Sequence, residues 1–175
     1  TFFIDDKIDT GAMILKKEIQ INEEDTVGSL HDKLMHLGTL AVNETLKLIE
    51  TDQVKLTVQT ADLEIKTAYK LNKENCKIDF NKSGEEIRNL IRGLNPYPAA
   101  WCFIKNESGE TTAKIFDVAL DHTAHNLEIG TIITSKKELK IAIKNGFLEV
   151  KSIQLSGKRQ LKTEELLNGM HFSSD

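Results

Sequence analysis

Residues 81–101 read NKSGEEIRNLIRGLNPYPAAW, and the reading of this stretch decides the fold of everything after it. Ser83 followed three residues later by Glu86 is capping-box spacing, in which each residue satisfies an orphan backbone donor at the start of a helix. The helix so opened is short. Gly93 and Pro96 are expected to stop it, and both prolines of the chain, Pro96 and Pro98, fall in that stop. Downstream the apolar period changes to that of strands. AWCFIK (100–105), TAKIFDVAL (112–120), GTIITS (130–135), ELKIAIK (138–144) and FLEVKSIQL (147–155) form five short β runs, with Asn145-Gly146 as a hairpin turn between the last two. KTEELLN (162–168) reads as a closing helix capped by Thr163. Five strands with a helix on either side predict a mainly β, OB-like open barrel.

Upstream of residue 81 the pattern differs. Residues 1–8 and 13–21 read as two strands joined at Asp9-Thr10-Gly11, a hairpin-like arm. From Asp25 to Thr51, DTVGSLHDKLMHLGTLAVNETLKLIET places Val27, Leu30, Leu34, Leu37, Ala41, Leu46 and Ile49 at helical spacings, with Asp25 or Thr26 as cap. This long amphipathic helix needs more than a two-strand arm to cover its stripe. Residues 52–82 read as a linker crossing a surface in pieces. The change of pattern predicts two domains, 1–73 and 74–175. The first holds 9 basic and 13 acidic residues, the second 14 of each.

With 39% hydrophobic and 29% charged residues, composition is that of a globular chain and excludes extended disorder. A net charge of −4 argues against a strongly basic nucleic-acid binder, while leaving room for one local basic face. Cys76 and Cys102 match no metal spacing and are expected to be free thiols in a reducing compartment. No apolar run approaches the ~18 residues of a membrane helix, and the first residues lack the grammar of a signal peptide. A soluble, cytoplasmic protein without membrane contact is expected.

Few residues carry chemistry on their own. Asp9-Thr10-Gly11 is ordinarily a turn, in which Asp bonds its own backbone and Gly takes positive φ. An aspartic-protease reading needs a second carboxylate on a matching loop, and the sequence holds no second copy of the tripeptide. His31 and His36 lie five apart, which puts them on different helix faces. Asp121, His122 and His125 could hold a metal but have the spacing of a solvated turn, so no metal is expected. No nucleophile elbow, Walker loop or dinucleotide fingerprint is present. Basic residues cluster as Lys66, Lys70 and Lys73, as Arg88 and Arg92 one helical turn apart, and as Lys158, Arg159 and Lys162. Each cluster could contact phosphates or simply solubilise a face.

Four stretches in order, IDTGAMI (8–14), EEDTVGSLHDKL (23–34), KENCKIDFNKSGEEIRNLIRGLNPYPAAW (73–101) and GKRQLKTEELLNG (157–169), resemble the methionyl-tRNA formyltransferases. The resemblance runs from about residue 3 to residue 170, and the part around Arg92–Trp101 is its most specific segment. It implies an α/β remnant of a Rossmann-like formyltransferase domain, followed by the OB-like barrel as a tRNA-binding domain. Asp9 matches the family's catalytic aspartate, and Ile8 and Gly11 would form the folate-site wall. The family's Asn and His partners, and its S-L-L-P loop, are not in this sequence, so the chain is expected to be an inactive fragment of an active parent.

The implied reaction transfers a formyl group from 10-formyltetrahydrofolate, as co-substrate, to the amino group of initiator methionyl-tRNA. Lys70 and Lys73 match linker positions that face tRNA in the family, whereas Arg88, Arg92, Lys158, Arg159 and Lys162 are candidates on charge alone. The neutral second domain departs from the family's basic one, which implies weak binding or binding on one face. A sugar-nucleotide formyltransferase fragment and a non-catalytic RNA-binding module are the alternatives. Exposed sheet edges would permit self-association.

Overall fold

The computed structural model describes residues 1–59, 68–106, 109–170 and 172. The chain divides into two compact units, Thr1–Asp25 with Ser29–Lys70, and Thr26–Gly28 with Leu71–Asp175. Lys66 and the start of the LEIKTAYKL stretch lie outside the described residues.

In the first unit the helix arrives where its periodicity places it, as α1 (Val27–Glu50). Leu30, Leu37, Ala41 and Leu48 are half-buried and Thr45 is buried, whereas Leu34, Leu46 and Ile49 remain about half exposed. The stripe is therefore only partly covered. Thr45 is fixed by donating to the Ala41 carbonyl at 2.7 Å and by its 2.7 Å contact with the Thr1 hydroxyl.

The two strands expected over 1–8 and 13–21 are not formed. Pairing there is limited to isolated antiparallel bridges, Phe2 with Met13 and Met13 with Thr57, the second closed by amide to carbonyl bonds of 2.8 and 2.9 Å. Ile4 and Ile8, the apolar residues that suggested a strand, stand 91% and 90% exposed. A two-stranded ribbon has no second layer on which to bury a face. Instead, the Asp5 carboxylate takes hydrogen bonds from the Lys7 amide and the Thr10 hydroxyl and draws residues 5–10 into a loop.

Just before α1, the buried Asp25 carboxylate accepts from the Lys33 ammonium at 2.6 Å, the Asn22 amide at 2.8 Å and the Ser29 hydroxyl at 2.9 Å. These partners, Lys33 foremost, hold its pKa down at about 2. Because the folded value lies below the unfolded one of ~3.9, the stabilisation is complete above about pH 5 and disappears as pH falls toward 2. Protection of the first-turn amides of α1, measured relative to their intrinsic exchange rates, is expected to fall between about pH 4 and pH 2, and Asp25→Asn is expected to remove that fall. An exchange profile identical in both proteins would contradict this account.

In the second unit, α2 (Gly84–Leu94) opens with the capping box foreseen for Ser83 and Glu86. The Glu86 amide donates to the Ser83 hydroxyl and the Ser83 amide to the Glu86 carboxylate. It ends at Leu94, between the Gly93 and Pro96 expected to stop it. Gly93 is inside the helix, and the C-cap is Asn95, held extended (φ −87°, ψ 126°) as the residue before proline must be. The Asn95 side-chain amide then donates to the Phe116 carbonyl at 2.8 Å and ties the helix end to the sheet. The Asn95–Pro96 and Tyr97–Pro98 peptide bonds are cis.

The sheet comprises β1 (Ala100–Asn106), β2 (Gly109–Asp121), β3 (Ile132–Thr134), β4 (Leu139–Ile143), β5 (Gly146–Leu155) and the short β6 (Leu161–Lys162). All pairs are antiparallel, in the order β1-β2-β5-β4-β3 with β6 on β5. The register between β2 and β5 shifts around Asp117, where a bulge lets one long strand bend and serve two neighbours. The result is a mainly β open barrel. Ile87, Ile91 and Leu94, spaced along one face of α2, pack with Cys102, Ile104, Ile115, Leu139, Ile141, Leu148, Val150 and Ile153 in one core.

Two further expectations are corrected here. The linker does not extend to residue 82: Cys76 and Ile78 are 3% and 4% exposed in the barrel core. Their segment runs parallel to the start of β1, with the Ile78 amide donating to the Trp101 carbonyl at 2.8 Å and the Trp101 amide to Cys76 at 3.1 Å. Apolar residues only two apart in a charged stretch gave too weak a strand signal. Nor does Thr163 cap the closing helix α3 (Thr163–Leu167): Lys162 occupies the cap, and the buried Thr163 hydroxyl donates to the Val150 carbonyl of β5. Tertiary packing takes the hydroxyl that the cap would have used.

Candidate functional site

The Asp9 turn is built differently from a simple Asp-x-Gly turn. Asp9 itself takes the left-handed conformation, φ 57°, one that Asp and Asn tolerate better than other side chains. Gly11 is needed for closeness instead: a Cβ there would stand 1.5 Å from the Phe3 carbonyl oxygen. The Gln59 side-chain amide clamps the turn from below, donating to the Asp9 carbonyl at 3.0 Å and the Gly11 carbonyl at 2.7 Å. Gly11 is thus buried, while Asp9 and Ile8 face solvent. Among the described residues no side chain bonds to the Asp9 carboxylate. A carboxylate held out on a clamped turn can orient a cationic or proton-carrying partner, but proton transfer needs that partner to be supplied.

The basic candidates fall into separate places. Lys70 is exposed and belongs to the first unit. On α2, Arg88 stands 3.9 Å from Glu85, and Arg92 donates to Asn89 at 2.7 Å. At the β5–β6 turn, Arg159 lies 3.7 Å from Glu165, and Lys158 and Arg159 border a depression with the apolar Ile153, Leu161 and Met170. Lys162 lines a groove that also carries Asp117, Glu138, Glu149 and Glu164. Nearby carboxylates therefore dilute the positive charge of the 158–162 cluster.

Lys73 has different surroundings. Its carbonyl accepts the Trp101 indole N–H at 2.7 Å, and its ammonium sits 5.1 Å from the Trp101 ring centre. Lys77 lies 5.6 Å from the same ring and 5.0 Å from that of Phe103, and the two rings meet edge to face at 5.2 Å. Beside them opens a cleft of about 540 Å³ lined by Lys73, Tyr97, Pro98, Trp101, Thr112 and Lys114. Of these residues only Lys73 was a candidate in the sequence; Lys77, Tyr97, Trp101, Phe103 and Lys114 were not. The available signal was Trp101-x-Phe103-x-Lys105, which period-2 alternation puts on one face of β1.

The Asp121-His122-Thr123-Ala124-His125 loop is an ordered corner. Thr123, through its hydroxyl at 2.6 Å and its amide at 2.9 Å, and Lys140 at 2.9 Å hold the Asp121 carboxyl well below the usual range. His125 Nδ1 accepts from the Leu127 amide at 3.1 Å, so Nε2 carries the proton that faces the Ile143 and Gly146 carbonyls at 2.9 and 2.8 Å. Among the described residues no three His, Cys, Asp or Glu side chains are grouped to hold a metal. Cys76 and Cys102 are buried free thiols, and burial pushes Cys102 up to about 12, far from reactive. Among the described residues no helix is long and apolar enough to cross a membrane.

Comparison with known proteins matches residues 70–171 to the formyl transferase C-terminal domain family. The chain is 58% identical over its whole length to a methionyl-tRNA formyltransferase of Flavobacterium johnsoniae, spanning 56% of that protein. It is 43% identical to that of Bacteroides thetaiotaomicron, over 99% of the chain and 55% of the relative. The chain thus spans about half the length of the curated relatives it matches. Among solved structures, HypX variants from Aquifex aeolicus share the fold, one with a TM-score of 0.67 at 13% identity over 98% of this chain and 32% of that one. WlaRD, a sugar 3N-formyl transferase, has a TM-score of 0.58 at 24% identity over 90% of this chain and 54% of its own. At such identities the likeness is one of fold.

Proposed function

From the premise that the chain belongs to the formyl transferase family by its C-terminal domain, we propose that it is the C-terminal portion of a methionyl-tRNA formyltransferase, with tRNA held by its β-barrel unit. Sequence identity to methionyl-tRNA formyltransferases along the whole chain carries this reading. In it, residues 1–73 are an α/β remnant of a Rossmann-like catalytic domain plus linker, and 74–175 are an OB-like tRNA-binding domain. The protein acts in the cytoplasm.

The chemistry joins the methionyl amine nitrogen to the formyl carbon of 10-formyltetrahydrofolate. The amine attacks through its lone pair, a tetrahedral oxyanion forms, and the bond from carbon to folate N10 breaks. The amine's proton is passed on and N10 regains one, giving tetrahydrofolate and N-formylmethionyl-tRNA. Asp9 serves by holding a histidine, supplied outside this chain, in the orientation and charge state that accept the amine proton. The clamp of Gln59 on the Asp9 and Gly11 carbonyls holds the backbone from which that carboxylate projects. Ile8, apolar yet 90% exposed, is a wall that a flat folate ring would cover. No resident metal is required.

Lys70, Lys73, Arg88, Arg92, Lys158, Arg159 and Lys162 are the tRNA contacts of this reading, and the acid-rich surroundings of the last three leave Lys73 the strongest of them. Self-association, where it occurs, uses the sheet end at β3.

The test is the full chain with initiator methionyl-tRNA. It should bind tRNA with an affinity that falls as salt rises, and should form no N-formylmethionyl-tRNA when 10-formyltetrahydrofolate is added. Formylation by this chain alone, or no salt-dependent binding, would refute the proposal.

A further inference from the structure

We propose that the cleft beside Trp101 is a binding site for one unpaired nucleotide of RNA, its base laid against Tyr97 and Trp101 and its flanking phosphates on Lys73, Lys77 and Lys114. This rests on the reading that the barrel unit binds tRNA, and goes beyond it by naming which part of the RNA is gripped and how.

Ring geometry carries the first half of the argument. Tyr97 is 81% exposed and Phe103 46%, an unusual amount of aromatic surface to leave in water on one side of a small barrel. The indole is already oriented, by its N–H bond to the Lys73 carbonyl and by its edge contact with Phe103, so a ligand stacking there need not order it. With its N–H already satisfied, what the indole offers a ligand is its ring face. Flat ligands match such a face, and all four bases have one.

Charge supplies the second half. Lys114 stands directly opposite Trp101 in the β1–β2 register, and Lys73 and Lys77 reach the rings from the preceding segment. Among the described residues no carboxylate forms an ion pair with Lys73, Lys77, Lys105 or Lys114. Elsewhere on this unit Lys137, Lys140, Lys151 and Arg159 have acidic neighbours, and the lysines that share the cleft's lack of an ion pair, such as Lys136 and Lys144, have no aromatic ring beside them among the described contacts. In a chain of net charge −4, one aromatic cleft with unpaired cations is a local excess. Resting ammonium groups near the indole can swing to an arriving phosphate, exchanging a cation–π contact for an ionic one. A ligand that brings a π face and negative charge within one residue length is a nucleotide. Bases inside a duplex cannot offer that face, so the nucleotide is an unpaired one.

Trp101 is the chain's only tryptophan, so its emission reports on the cleft directly. The probes are an oligouridylate of eight nucleotides, whole tRNA and uridine monophosphate, each titrated into the full chain. The octamer should change the emission saturably. Tyr97→Ala should weaken octamer binding by about fivefold or more, the loss of one stacked base. Lys114→Ala should lower the slope of log affinity against log salt by about 0.7, one phosphate contact on a single strand. Neither variant should lower Tm, and Lys114→Ala stands as the test by itself if Tyr97→Ala misfolds. Should tRNA bind while emission and both variants behave as though the cleft were empty, the inference falls and the tRNA reading stands. Should no RNA bind, both fall. Saturation by uridine monophosphate at the octamer's affinity would make this a free-nucleotide site and overturn the RNA assignment.

Discussion

Gly146→Ala is expected to destabilise the barrel unit by about 3 kcal/mol or more, a large share of the 5–15 kcal/mol that holds a typical domain together. Gly146 begins β5 at φ 132°, a conformation that any side chain strains. A Cβ there would also lie 2.1 Å from the Asp121 carbonyl oxygen and 3.0 Å from the His122 Cα. Backbone atoms cannot swing aside as the tip of a side chain can. The damage would spread because this point joins three things: the β4–β5 hairpin, the end of the β2–β5 ladder where Asp121 pairs with Phe147, and the Gly146 carbonyl that meets His125. Gly130→Ala separates conformational strain from collision. Its φ is 90°, but an added Cβ would meet nothing within 4 Å, so only the conformational cost of about 1–2 kcal/mol applies. Urea melts of the two variants should differ by more than about 1 kcal/mol, and equal melts would show that the approach to Asp121 is not a constraint.

In the complete enzyme, Asp9→Asn is expected to lower kcat for formyl transfer by about a hundredfold to ten-thousandfold, the usual worth of positioned acid–base catalysis. The substitution suits the question because the fold should not notice it. Asn keeps the size of Asp, tolerates the left-handed φ of 57°, and leaves the backbone carbonyl that Gln59 holds. No described side chain bonds to the carboxylate, so its loss breaks no structural bond. What changes is the negative charge available to a histidine. Affinity for tRNA should stay within about twofold, and a parallel loss of binding would move Asp9 from positioning the reaction to holding the substrate.

Legibility of the fold followed the strength of local signals. The 3.6-residue period of 27–50 and the reciprocal Ser83–Glu86 cap are short-range features, and both helices stand where the sequence puts them. The five β runs of the barrel were equally plain, since alternation lies within a few residues, although the hairpin expected at Asn145-Gly146 turns one residue earlier, at Lys144-Asn145, with Gly146 already paired to Ile143. Failures occur where a distant partner decides. Met13 pairs with Thr57 instead of completing a hairpin arm, the Ile78 amide donates to the Trp101 carbonyl, and the Thr163 hydroxyl goes to Val150. Each of these bonds spans more than a dozen residues, and nothing local announces it.

The same distinction applies to the candidate sites. The turn at Asp9-Thr10-Gly11 was legible from its tripeptide, although the reason for Gly11 was not: the glycine answers the approach of Phe3, not a positive φ. The aromatic cleft is assembled from three separated stretches, around residues 73–77, 97–103 and 112–114. Only the pairing of β1 with β2 on one side, and the strand-like run of Cys76–Ile78 on the other, brings them together.

The most direct measurement is formyl transfer by the complete polypeptide that contains these 175 residues, with 10-formyltetrahydrofolate as donor and either methionyl-tRNA or an amino-sugar nucleotide as acceptor. N-formylmethionyl-tRNA should accumulate and the sugar nucleotide should remain unmodified. Formylation of the sugar nucleotide with methionyl-tRNA left untouched would contradict the account.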